Sequence, residues 1–188
     1  EDHLTCLDLF AGLPLAQMAC EAEPLADLEA FLDWYGIGKE AHRDYWRRVL
    51  AADFHFRPRK ATRHFTPGEV IDLGTCTAEV IHAPGHTPGF TVFYFREPQV
   101  LYLGDYDLTA FGPWYGDRDS SIEDTIASLQ RLRKIPAKVW LTSHEDGCFE
   151  GDVAQVFDDY LAVIEAREAK LLDLLAQPRT LAEIVAAC

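Results

Sequence analysis

Long apolar runs are missing from this sequence. Its longest apolar stretches are only a few residues, far short of the roughly 20 that a membrane-spanning helix needs. Cysteine pairing is missing too. Cys6, Cys20, Cys76, Cys148 and Cys188 are odd in number, scattered and never in a Cys-x-x-Cys pair, which argues against a disulfide scaffold and for a reducing, cytoplasmic setting. Each is expected to act as a small buried hydrophobe, with Cys148, four residues after His144, nearest to any chemistry. Positive charge is scarce: Lys+Arg 17 against Asp+Glu 31 leaves −14, which repels nucleic acid phosphates unless a local basic patch offsets it. The densest basic run, Arg57 to Arg63, is short and reads as a solvated loop. There is no low-complexity tract, no secretory segment is legible, and no Gly-x-Ser-x-Gly elbow offers a serine nucleophile.

What remains is an ordinary globular composition, 48% hydrophobic and 26% charged over 188 residues, enough for one well-buried domain and too short for two full ones. The sequence starts Glu1-Asp2-His3 without Met and stops at Cys188 inside the apolar periodicity of Leu181, Ile184 and Val185. It is therefore expected to be a piece of a longer chain.

Residues 7–35 carry helical periodicity broken at Pro14 and Pro24, which predicts two or three short helices. Residues 36–66 are polar and aromatic-rich, predicting one helix and a connecting loop inserted beside the core. The period then switches. EVIDL (69–73), AEVI (78–81), TVFYF (91–95) and VLYL (100–103) are short, β-branched or aromatic, and separated by Gly and Pro turns. A helix capped by Ser120 or Ser121 follows, with Asp124 in its first turn and Ile122, Ile126 and Leu129 on one face. KVWLT (138–142) predicts another strand, and about 152–176 a long helix striped by Val156, Tyr160, Ile164, Leu171 and Leu175. Pro178 ends it and Thr180 can cap another. Strands in series, then β–α–β, then helix, imply a layered mixed α/β fold with helices outside sheets.

Metal-type ligands sit where three predicted strands end: His86 in HAPGHTPG, Asp105 in LGDYD and His144 in TSHEDG. A strand end is a rigid platform whose loop can aim a side chain inward, and imidazole with carboxylate suits zinc, manganese or iron. Singly, each has a bland reading as a turn or surface residue. Around His86, however, Gly85 and Gly89 allow close backbone approach while Pro84 and Pro88 stiffen the turn. His82, four residues earlier, could support this loop. Phe111, Trp114 and Tyr115 follow Asp105 closely; Trp114 and Tyr115 are candidates for an apolar substrate pocket, with core packing or a homodimer contact as alternatives. His42, His55 and His64 read as surface residues of the insertion.

HAPGHTPG, then YLGD, then a strand ending in His resembles the metallo-β-lactamase superfamily, nearest its hydroxyacylglutathione-hydrolase-like and β-lactamase-like-protein-2-like branches. The family's opening motif is His-x-His-x-Asp-His, and Glu1, Asp2 and His3 match its last three positions. The resemblance implies an αββα four-layer sandwich over 1–150, incomplete at the N-terminal sheet and carrying the 36–66 insertion. It implies two divalent metal ions, zinc by preference with iron or manganese as alternatives. Asp2, His3 and His144 would surround one, His86 the other together with the two motif histidines not in this sequence, and Asp105 would bridge both. Asp2 would also be catalytic, orienting a metal-activated hydroxide. Two metals about 3.5–4 Å apart can share such a group, which removes the need for a Ser or Cys nucleophile. Ser143-His144-Glu145 departs from the family's usual Gly-His-Gly, and the insertion is longer than in many relatives.

The implied activity is hydrolysis of an ester, thioester, amide or phosphodiester in a small molecule. Iron oxidoreductases of the same fold, persulfide dioxygenase or flavodiiron-like, are the alternative, and a metal-lost binding scaffold is a third; His86, Asp105 and His144 together argue against the last. Within 151–188, Arg167-Glu168, LLDLL and TLAEIV resemble the start of the winged-helix extension of β-lactamase-like protein 2 relatives, some of which act on RNA. Amphipathic packing helices are the plainer reading there.

Overall fold

The computed structural model describes residues 2–145 and 147–187. Glu1, the first matched motif position, and Cys188 lie outside the described residues.

The N-terminal third is helical, as its periodicity predicts. Short 3-10 turns at Asp2–Leu4, Leu7–Phe10 and Ala19–Glu21 lead into α1 (Ala22–Ala26), α2 (Leu28–Trp34) and α3 (Glu40–Ala52). Asp27 separates α1 from α2 because its carboxylate accepts from the backbone N–H groups of Glu29 and Ala30, both at 2.9 Å, which caps α2. Leu25, Phe31, Leu32, Leu50 and Phe56 bury together as a small core of their own. The basic run Arg57 to Arg63 is mostly exposed, as expected, and only Arg59 is drawn in. Arg59 donates to the carbonyls of Leu7 and Leu13, tying the first turns to this helical layer.

β1 (Ala16–Gln17) pairs in parallel with β2 (Arg63–His64). The main sheet holds six strands in chain order: β3 (Val70–Asp72), β4 (Thr77–His82), β5 (Thr91–Phe95), β6 (Val100–Gly104), β7 (Val139–Thr142) and β8 (Cys148–Glu150). All neighbours are antiparallel except β6 and β7, whose parallel pairing needs a crossover. That crossover is α4 (Ile122–Leu132), and α5 (Ala154–Leu174) and α6 (Leu181–Ala187) follow the sheet. Alternation along β6 buries Leu101 and Leu103 against Leu129 and Leu132 of α4 and Phe157 and Tyr160 of α5. Each such side chain contributes roughly 1.5–3 kcal/mol of burial. Thr180 and Glu183 exchange hydrogen bonds at the start of α6, a capping box that satisfies two otherwise orphaned N–H groups.

Several expectations change here. The buried face of α4 is Thr125, Ser128, Leu129 and Leu132, whereas Ile122 is 43% exposed. Its small polar residues face inward because the His86 loop packs on them. Along α5 the buried stripe is Phe157, Tyr160 and Ile164, while Leu171 and Leu175 are exposed beyond the edge of the sheet. The four described cysteines are not buried hydrophobes. Cys6, Cys20 and Cys148 are exposed and Cys76 is half-buried, since they lie in N-terminal turns, on an edge strand and in a hairpin turn. His42, His55 and His64 are exposed as expected. No helix among the described residues is long and apolar enough to cross a membrane.

Candidate metal centre

Asp105 and His144 come together because β6 and β7 are parallel neighbours, so both chains leave the sheet at the same end. Two bonds clamp those exits: Ser143 N–H donates to the Gly104 carbonyl at 3.0 Å, and the hydroxyls of Tyr102 and Ser143 lie 2.8 Å apart. β4 delivers His86 to the same end through HAPGHTPG. His3 and Asp2 arrive from the first 3-10 turn.

The side chains meet on Asp105. Its Oδ1 lies 2.6 Å from His3 Nε2 and 3.5 Å from His144 Nε2, and its Oδ2 lies 3.1 Å from His86 Nε2. Asp2 closes the group, with one oxygen 3.5 Å from His144 Nε2 and the other 3.9 Å from His3 Nε2. Burial alone would raise the Asp105 pKa, but the hydrogen bonds from His3 and His86 hold it well below the usual carboxylate range. The same Asp105 bond raises the His3 imidazole. At His86, burial pulls downward and Asp105 more than compensates, so its imidazole also rises.

Asp107 is the ligand-type residue that sequence reading missed. It groups with Asp105 and His144 at metal-binding distances. Its Oδ1 is buried without a hydrogen-bond partner, and burial pushes its carboxyl upward. A buried carboxylate oxygen left unpaired is costly, and a cation would satisfy it. The imidazoles of His3, His86 and His144 with the carboxylates of Asp2, Asp105 and Asp107 are N and O donors that fit zinc, iron or manganese. The second Asp of LGDYD was the available signal.

The His86 loop is held by side chains from elsewhere in the chain. Tyr106 donates its hydroxyl to the Ala83 and Pro84 carbonyls, both at 3.0 Å. Ser128 donates to the Pro84 carbonyl at 2.7 Å and Ser120 to the His86 carbonyl at 2.8 Å. Gly85 has φ +138°, and a Cβ there would lie 2.4 Å from the Thr125 backbone nitrogen. Gly89 allows Glu21 to approach, whose carboxylate accepts from Gly89 N–H at 3.0 Å and from the Thr87 hydroxyl. His82 Nε2 lies 2.8 Å from the Pro88 carbonyl, which ties the end of β4 to the same loop.

The metal-type residues open into a cleft of about 420 Å³ whose walls include Tyr35, Trp46, Trp114 and Asp117. Trp114 therefore faces the centre, and its carbonyl lies 3.3 Å from His86 Nδ1. Tyr115 points elsewhere, into a groove beside α5 with the Arg167 guanidinium 5.3 Å from its ring. Tyr35 and Trp46 were not singled out in the sequence, because aromatic residues on amphipathic helices read as packing. None of the described residues lining the cleft is Lys or Arg.

Comparison with known proteins gives consistent relatives. The family model of the metallo-beta-lactamase superfamily matches residues 18–144. The hydroxyacylglutathione hydrolase of Hyphomonas neptunium is 31% identical over 117 residues, 57% of this chain and 44% of that protein. The acyl-coenzyme A thioesterase MBLAC2 of Gallus gallus is 33% identical over 97 residues, 50% of this chain and 32% of that protein. A metallo-beta-lactamase family protein from Thermus thermophilus superposes with a TM-score of 0.68 at 26% identity, covering 95% of this chain and 62% of that one. The chain thus spans less than half of these two curated relatives.

Proposed function

The chain belongs to the metallo-beta-lactamase superfamily, and from that premise we propose that it is a metal-dependent hydrolase of small acyl thioesters. The carrying observation is the convergence of His3, His86 and His144 on Asp105 at the floor of an open cleft that Asp2 and Asp107 also line. The names of two relatives, a hydroxyacylglutathione hydrolase and an acyl-coenzyme A thioesterase, favour a thioester over an amide or phosphodiester.

In this reading Asp2, His3 and His144 would hold one divalent cation and His86 would help hold a second, with Asp105 and Asp107 as the carboxylates available to both. Bound cations of this kind acidify water and polarise a carbonyl. Asp2 accepts a hydrogen bond from the attacking water and aims its oxygen at the acyl carbon. The water oxygen bonds to that carbon, the C–S bond breaks with its electron pair on sulfur, and the proton released by water ends on the thiol. The products are a carboxylic acid and a free thiol. Trp46 and Trp114 give the cleft apolar walls for the organic part of the substrate.

A nucleic acid substrate is disfavoured by the −14 balance and by the absence of Lys and Arg among the described lining residues, because phosphate contacts depend on such groups. The test is a side-by-side assay of zinc, manganese and iron forms on acyl-glutathione, acyl-coenzyme A and single-stranded RNA. Faster turnover of the thioesters is expected. Salt-sensitive RNA cleavage with no thioester turnover would overturn the reading.

A further inference from the structure

Beside the metal cleft lies a second, smaller cavity of about 170 Å³. Tyr35, His86 and Asp117 line both, so the cavity adjoins the imidazole of His86 itself. Its remaining wall is mainly apolar: Leu4, next to His3, with Leu25, Phe31 and Trp34 from the α1–α2 layer. The polar groups at its rim are already engaged. Gln17 donates to the Glu21 carbonyl at 3.2 Å, and the Glu21 carboxylate accepts from Thr87 and Gly89. Among the described residues, no Lys or Arg lines it. A phosphate or carboxylate head group would find no Lys or Arg there and would meet the carboxylates of Glu21 and Asp117, whereas a hydrocarbon chain would replace water along the apolar part of the wall.

We infer that this cavity receives the acyl chain of the substrate and sets its preferred length, leaving the thiol carrier in the wider cleft between Trp46 and Trp114. The inference rests on the thioester reading and goes beyond it by assigning the two ends of the substrate to two spaces. Trp34 is the residue to probe, because it lines the small cavity and not the metal cleft. It is also only half-buried, so its truncation spares the Leu32 and Leu50 core.

Two measurements decide the matter. With the metal-loaded protein and acyl-coenzyme A thioesters from two to twelve carbons, Trp34→Ala should move the optimum of kcat/KM to longer chains. Each added methylene newly buried should raise kcat/KM by about three- to fourfold. An unmoved optimum in an active enzyme overturns the inference and leaves the thioester reading standing. Independently, n-hexanol titrated into metal-free protein should shift the Trp34 indole NMR signal, assigned by comparison with Trp34→Phe. An indole that stays in place while other tryptophan signals move would place the apolar ligand elsewhere and overturn the inference. If no thioester is turned over by wild type, the catalytic reading fails while the indole titration still decides whether the cavity binds a hydrocarbon chain.

Discussion

Asp105 is the residue on which the centre depends, since its two oxygens lie within 3.5 Å of the Nε2 atoms of His3, His86 and His144. Asp105→Asn keeps the size of the side chain and removes a negative charge that, in the proposed reading, two cations would share. Metal content should fall below two per chain and thioester turnover by more than about a hundredfold. Full metal occupancy with unchanged turnover would remove Asp105 from the centre. Gly85 tests the support of the loop. Alanine there would press a Cβ against Thr125 in a left-handed backbone conformation, so Gly85→Ala should cost about 1–3 kcal/mol in urea unfolding and weaken metal binding. An unchanged midpoint would mean that α4 does not set the loop. His86, Asp105 and His144 were legible as candidates because ligand-type residues in the loops that leave three strands stand out. Ser128 and Glu21 were not, since polar side chains in helical turns read as solvent-facing, and Ser120 read only as a helix cap; the fold alone reveals that they grip a loop.

At the level of elements, α2 and α3 carry the aromatic side of both cavities, and a charge network joins them. Glu29 of α2 accepts from Arg47 at 2.7 and 2.8 Å and from Arg43 at 2.6 and 3.2 Å on α3. First Arg47 and then Arg43 lower the Glu29 pKa from 4.5 to about 2. A carboxyl held below its unfolded value stabilises the fold above that unfolded value and stops doing so as pH falls through the folded one. The contribution of Glu29 is therefore present above pH 4.5 and disappears by about pH 2. Glu29→Gln should be less stable than wild type at pH 6, with the difference shrinking across that window and with added salt. A difference independent of pH would show that shape rather than charge joins the helices. Most elements were predicted in place, α5 and the strands of the main sheet above all. β8 was not, because Cys148–Glu150 is three residues long, too short for an alternation to register.

For the molecule as a whole, family and layered fold were readable because HAPGHTPG, LGDYD and TSH occur in order at strand ends. Burial by tertiary packing was less readable: exposed cysteines, an Arg59 tied to two carbonyls and the inward Thr125 and Ser128 follow from neighbours that sequence does not reveal. The acidic balance of −14 acquires a local meaning at the centre, where Asp2, Asp105 and Asp107 gather around one cleft. Like charges so close favour a bound cation. That makes this acidic cluster with its three imidazoles a candidate metal centre. The most direct test is the metal content of protein purified without added metal, by elemental analysis, paired with anomalous diffraction at the absorption edge of the metal found. Transition metal is expected in stoichiometric amount, with anomalous density within coordination distance of Asp105 and His144. Metal-free protein that neither takes up zinc, iron or manganese in micromolar titration nor shows density there would contradict that expectation.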